Sequence, residues 1–153
     1  MSASLHLATP EDAGRLLPMV EAHHLHEGIG STDESRRAGV VPLLEGSPHG
    51  AIWLIGPRKS PVGYIAITFS WSIGLGGLDG FIDEFFIRES VRGRGMGSEV
   101  LVALLGELAK GGLRSLRLEV GPENERARRI FKRLGFRTRE GHHLMTWRAR
   151  RGE

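Results

Sequence analysis

Apolar positions along this chain recur in two rhythms, and the change from one to the other marks the elements. Leu5 to Ala8 is a short apolar run, the pattern of a first strand. Thr9 then has the chemistry of an N-cap, with Pro10 at the first helical position and Asp12 in the first turn. The helix that follows carries Leu16, Leu17, Met19, Val20 and Leu25 toward a core, should be kinked or split by Pro18, and ends at Gly28 and Gly30. Asp33 to Leu44 reads as a second, weaker helix limited by Pro42. Ala51 to Ile55 is an apolar strand closed by Gly56 and Pro57, and Val62 to Trp71 is another, rich in β-branched and aromatic residues. A glycine-rich connection, Gly74 to Gly80, leads to a strand over Phe81 to Ile87. Helical spacing returns at Glu99 to Ala109, where Val100, Leu101, Leu104, Leu105 and Leu108 share a face ahead of Gly111 and Gly112. Ser115 to Val120 reads as a strand and Asn124 to Leu134 as an amphipathic helix with Ala127, Ile130, Phe131 and Leu134 on one side. Phe136 to Thr138 and Leu144 to Arg148 read as closing strands.

Strands interleaved with helices in this order predict an α/β fold, a mixed and largely antiparallel sheet with helices on both faces. At 153 residues the chain reads as a single domain, 1–153. The absence of cysteine excludes disulfides, thiolate metal sites and cysteine nucleophiles. Met1 to Pro10 lacks the basic and apolar regions of a secretory signal, and no run is long enough to cross a membrane, so a cytoplasmic protein without membrane contact is expected. The net charge of +3 attracts anions of any kind. Arg126, Arg128, Arg129, Lys132 and Arg133 read as the solvated face of a helix; no aromatic interleaving accompanies them, so no nucleic-acid partner is expected.

The segment Arg92-Gly93-Arg94-Gly95-Met96-Gly97-Ser98 stands between a strand and a helix. Its alternating glycines admit close approach of a ligand to the backbone, and the N–H groups and dipole of a helix start favour phosphate. Arg92 and Arg94 add positive charge, which makes a coherent pyrophosphate cradle. A P-loop would need Gly-Lys-Ser/Thr, and a dinucleotide fingerprint would place its third glycine one residue later.

Arg-x-x-Gly-x-Gly in this setting resembles the coenzyme A loop of the GNAT superfamily of N-acetyltransferases. Asp83-Glu84-Phe85-Phe86-Ile87 is similar to its fourth strand, Leu116 to Val120 to its fifth, and Asn124, Ala127, Gly135 and Phe136 to the helix that follows. The acidic-acidic-Phe-Phe-Ile stretch, with Arg92 to Leu101, most resembles the spermidine/spermine acetyltransferases and their bacterial relatives. The resemblance covers about the second half of the chain. It implies acetyl-CoA as cosubstrate, no metal, a small-molecule or peptidyl amine as acceptor, a homodimer as common among relatives, and fourth and fifth strands that splay apart. It implies that Phe85, Phe86 and Ile87 offer backbone groups to the pantetheine arm, that Arg92 to Ser98 hold the pyrophosphate, and that Asn124, Ala127 and Phe131 meet the cofactor from the next helix.

Transfer to an amine requires the neutral base. A lysine-like amine with pKa near 10.4 is unprotonated in only about one molecule in 2,500 at pH 7, a cost of roughly 4.6 kcal/mol. Asp83 matches the acid to which the polyamine enzymes give this proton; Glu84 has the longer reach. Strict strand alternation would point them to opposite faces, leaving one for the cleft. The family's tyrosine acid, seven residues beyond the asparagine, is Phe131 here, and Tyr64, the chain's only tyrosine, lies on another strand and reads as structural. This substitution supports an alternative, a module that binds acyl-CoA with little turnover. His23, His24 and His26 cluster with Glu27 at the end of the first helix without the His-Glu-x-x-His pattern of a zinc site. In relatives this region lines the acceptor pocket, so Glu27 and a histidine are candidates for substrate contact, with Trp71 as a pocket wall. The region is less acidic than in the polyamine enzymes, against a long polycation as acceptor.

Overall fold

A computed structural model describes residues 4–150. The elements are β1 (Leu5–Leu7), α1 (Ala13–Glu27), α2 (Asp33–Leu44), β2 (Gly50–Ile55), β3 (Gly63–Ser72), β4 (Gly77–Ile87), α3 (Met96–Lys110), β5 (Leu113–Arg117) and α4 (Glu125–Arg133). One five-stranded sheet runs in the order β1-β2-β3-β4-β5, antiparallel throughout except for the parallel pair β4-β5. The expected α/β class with a largely antiparallel mixed sheet is the observed one. The chain divides into two compact units, residues 1–119 and 120–153.

In the first unit, side chains alternate between two cores. Tyr64, Ala66 and Phe86 join Leu16, Met19, Val20, Val40, Leu44, Ile52 and Leu54 under α1 and α2. Ile65, Ile67 and Ile82 are buried too, on the opposite side, where α3 contributes Val100, Leu101 and Leu104. That α3 covers this second face follows from Gly97, where a Cβ would touch Phe85 and Ile87 at 3.5 Å.

Local chemistry shapes the entry to α1. The Thr9 N–H donates to the Asp12 carboxylate (2.8 Å), and Pro10–Asp12 form a 3-10 turn that runs into the helix. Buried Asp12 also receives Arg58 (2.8 Å), which ties the β2–β3 turn to the helix start. Pro18 does not split α1, and Pro42 lies inside α2, which continues to Leu44. The carbonyl that Pro18 deprives of a partner belongs to Gly14; both residues are exposed, so water can satisfy it. The connection between β3 and β4 is tighter than its glycines suggested, since β4 already begins at Gly77.

The second unit contains α4, whose N-cap is Asn124: its side-chain oxygen accepts the Ala127 N–H at 3.2 Å. Phe131 meets Phe136 edge-on, with ring centroids 5.6 Å apart. The expected closing strands at Phe136–Thr138 and Leu144–Arg148 are not formed among the described residues. A strand exists only through a ladder to a neighbour, and within this unit the two stretches do not pair.

Candidate active site

β4 lies between two strands for only part of its length. Its register with β5 runs Leu78–Leu113, Asp79–Ser115, Gly80–Leu116 and Phe81–Arg117, and ends there. Among the described residues it is paired from Ile82 to Ile87 with β3 alone, so no strand there closes the β4 edge toward β5; this is the splay expected of the fourth and fifth strands. Backbone alternation decides which groups face that opening. Arg88 N–H donates to Val62 C=O (2.7 Å), which makes Arg88 and Val62 a hydrogen-bonded pair. Two residues back, Phe86 and Tyr64 are then hydrogen-bonded as well, whereas Phe85 and Ile87 turn their N–H and C=O groups outward. Of the three residues expected to offer backbone to a ligand, Phe86 is thereby corrected: its backbone serves β3 and its side chain the α1 core.

The strand carries a bulge where the chemistry is. Ala66 pairs with Glu84 and Ile67 with Ile82, leaving Asp83 as the extra residue. A bulge resets the alternation, so Ile82 packs in one core while Glu84 faces the other, toward α1. The Asp83 carboxyl feels the charges of Glu84, His24 and His23, which places it with the same group. The expectation that the two acids point to opposite faces is therefore overturned.

Their environments differ. Glu84 accepts hydrogen bonds on both oxygens, from the Tyr64 hydroxyl at Oε1 (2.7 Å) and from His24 Nε2 at Oε2 (2.7 Å). Asp83, although exposed, makes no side-chain hydrogen bond among the described residues; partial loss of hydration, and then the negative charge of Glu84, raise its pKa above the usual carboxylate value. Tyr64 is buried, and burial together with Glu84 drives its pKa well above that of a free phenol, so it remains a donor and is a poor acid. His23 stacks edge-on to Tyr64 (6.1 Å) and tilts over Phe86 (5.8 Å). Burial lowers its pKa, with Glu84 and Glu27 opposing.

Past β4 the chain enters the glycine loop. Gly93 and Gly95 have φ of 81° and 77°, the left-handed region that a side chain resists. Gly95 is the N-cap of α3 and supplies no capping side chain. The first helical bond is made by Glu99 N–H to Gly95 C=O, so the N–H groups of Met96, Gly97 and Ser98 precede it and can receive an anion. Arg92 folds back instead: its Nε donates to the Ile87 carbonyl (2.6 Å), and its guanidinium lies 5.7 Å over the Phe86 ring. Arg94 is exposed beside the helix start.

Glu27, exposed at the end of α1, is close enough for its charge to act on His23. Trp71 is not brought to the acids. It pairs with Leu78 near the β3–β4 turn, five residues along β3 from the partner of Glu84, a span of roughly 17 Å, and is 68% exposed. Asn124, Ala127 and Phe131 all belong to the second unit, where Asn124 serves as helix cap. Sequence reasoning missed the bonding of Tyr64 and His24 to Glu84; the signal available for it was the histidine cluster beside Glu27. No group of metal-ligating side chains is assembled among the described residues, and no helix there is long and apolar enough to cross a membrane.

Known proteins share this fold. An integron cassette protein from the mobile metagenome of Cole Harbour Salt Marsh superposes with a TM-score of 0.77 at 30% identity, over 94% of this chain and 89% of that one. A possible acetyltransferase from Clostridium difficile 630 superposes with a TM-score of 0.83 at 17% identity, over 97% and 99% of the two chains, a likeness of fold alone. An uncharacterized N-acetyltransferase of Methanocaldococcus jannaschii is 35% identical over 81 residues, which make up 52% of this chain and 36% of that protein, so the match spans about a third of that relative's length. The acetyltransferase (GNAT) family model matches residues 19–136, most of β4's surroundings and the whole glycine loop included, and the chain belongs to that family.

Proposed function

We propose that the protein transfers an acetyl group from acetyl-CoA to a primary amine, by direct attack within a ternary complex. One observation carries the reading: two carboxylates at a bulge sit beside an open strand edge that leads straight into an uncapped, glycine-built helix start. The chain thus offers, in order, a proton acceptor, a backbone edge for an extended ligand, and an anion site. The fit to acetyl-CoA rests on the open N–H groups of Met96, Gly97 and Ser98, on the outward groups of Phe85 and on the outward N–H of Ile87, whose carbonyl is held by Arg92. Gly93 to Ser98 would hold the pyrophosphate and Phe85 and Ile87 the pantetheine; Asn124, Ala127 and Phe131 take part as the family resemblance assigns them. When bound, the thioester supplies the activated acyl carbon that the amine attacks.

The chain's own contribution is proton removal. Asp83 is the acceptor in this reading: it is not held by another side chain, and its raised pKa narrows the gap to the ammonium. Glu84, held by two donors, is a fixed negative charge that favours an incoming cation. Glu27, whose charge reaches His23 in the same group of residues, would meet a further positive charge on the acceptor. The acceptor is a small amine, as in the spermidine/spermine acetyltransferases that the sequence resembles, but shorter in charge than a long polycation. Phe131 favours a second reading, an acyl-CoA-binding module with little turnover, because the acid that would protonate the departing thiolate is missing and Tyr64 is unsuited to replace it.

Calorimetry with acetyl-CoA, followed by thiol release against a panel of mono-, di- and triamines, separates the readings. Binding with turnover supports the transferase. Binding without turnover on any amine supports the module. A folded protein that does not bind acetyl-CoA sinks both.

A further inference from the structure

His24 is part of a directed chain of hydrogen bonds that ends on Glu84. Arg36, almost fully buried, donates from NH1 to both the carbonyl and the hydroxyl oxygen of Ser31 (3.0 and 2.8 Å), while its NH2 meets Glu21 and Asp33. The Ser31 hydroxyl lies 2.8 Å from His24 Nδ1, and His24 Nε2 lies 2.7 Å from Glu84 Oε2. Arg36 can only donate, so Ser31 Oγ accepts there and keeps one proton of its own to give. If that proton goes to His24 Nδ1, the imidazole is neutral with its proton on Nε2, and Nε2 donates to Glu84. Every donor and acceptor in the chain is then matched. An imidazolium would instead aim a second cationic N–H at the hydroxyl that already faces the Arg36 guanidinium, and would leave the Ser31 proton without this acceptor.

We propose that His24 is a positioning residue: through the Arg36–Ser31–His24 chain it is fixed as the Nε2–H tautomer and, with Tyr64, locks the Glu84 carboxylate, so that proton transfer falls to its bulge neighbour Asp83. The proposal rests on the reading of Asp83 and Glu84 as the acid pair of an amine acetyltransferase. It assigns to α1 and the α1–α2 turn a role that the glycine loop and β4 do not supply. The chain also joins distant parts of the sequence, since Ser31 and Glu84 are brought to one ring.

The test has one arm that needs neither substrate nor cosubstrate. In long-range proton–nitrogen spectra of the wild-type protein at pH 7, His24 should show a neutral ring with the proton on Nε2. In Ser31→Ala this signal should move toward a mixture of tautomers. A ring protonated on Nδ1, whether as the other tautomer or as imidazolium, overturns the proposal even if the enzyme is active. The kinetic arm uses a double-mutant cycle. His24→Phe should lower kcat roughly 10- to 100-fold, the worth of one hydrogen bond to a charged group, with KM for acetyl-CoA unchanged. His24→Gln, which keeps a donor at the Nε2 position, should recover most of that loss. In a Glu84→Gln background, His24→Phe should cost less than threefold. An equal cost in both backgrounds would mean that His24 does not act through Glu84. Wild-type protein inactive on every amine, yet with the expected tautomer, would leave His24 as described and remove the acid-pair reading on its own.

Discussion

At the residue scale, the two adjacent acids show how little spacing alone says about role. Asp83 and Glu84 differ by one methylene and one position, yet one is bonded on both oxygens and the other on neither. Replacing Asp83 by Asn removes the proton acceptor while keeping shape. We expect kcat to fall by roughly two orders of magnitude or more, the usual worth of a general base, with acetyl-CoA affinity unchanged by calorimetry. A variant with full activity would transfer the role to Glu84. The sequence pointed to this pair and could not choose between its members, because the choice depends on partners sixty and twenty residues away: His24 and Tyr64. Those partners were visible only as a histidine cluster and a tyrosine in a strand. Trp71 illustrates the converse, an aromatic at a plausible strand position whose distance from the acids only the register reveals.

At the element scale, what pattern reading captured is what depends on local chemistry. Helix α3 behind its glycine loop, the strands β2, β3 and β4, and the amphipathic helix α4 all follow from residues next to one another. The bulge at Asp83 does not, since it is a mismatch of length between β3 and β4 that neither strand shows alone. The stretches at Phe136–Thr138 and Leu144–Arg148 have the composition of strands and form none in their unit, because a strand needs a partner and composition cannot supply one. The glycine loop offers a direct test of an element. Gly95 has φ 77° and nothing within 4 Å of an added Cβ, so a side chain there is resisted by backbone conformation, about 1–2 kcal/mol, rather than by a clash. Gly95→Val should leave the thermal midpoint within a few degrees of wild type and weaken acetyl-CoA binding at least tenfold by calorimetry, since the β-branched group distorts the helix start that would hold the pyrophosphate. Unchanged affinity would move the anion site away from α3.

At the scale of the whole molecule, the site's electrostatics should be legible in how stability changes with pH. Asp83 and His23 are both pushed toward their neutral forms, and the signs follow from linkage. The folded-state pKa of Asp83 lies above the unfolded value, so its carboxylate is tolerated less in the fold than in the open chain. Stability from this group is present below the unfolded pKa of 3.8 and is lost as pH rises through the raised folded value. His23 is the mirror case: its folded pKa lies below the unfolded 6.5, so the open chain binds the proton first. Its contribution is present above 6.5 and is lost as pH falls through the lowered folded value. Melting curves between pH 4 and 8 should therefore separate the two. His23→Phe keeps a ring against Tyr64 and Phe86 and removes the titration; its midpoint should fall less than that of wild type when pH is lowered from 7 to 5. Asp83→Asn removes a group that gains stability as pH falls, so its midpoint should fall no less than that of wild type in that step, and should be raised at pH 7 relative to wild type, because a carboxylate next to Glu84 has been replaced by a neutral amide. The same substitution is expected to cripple catalysis. A variant that is more stable and less active would place Asp83 among residues kept for chemistry at the expense of the fold, whereas a loss of both would make it an ordinary structural acid.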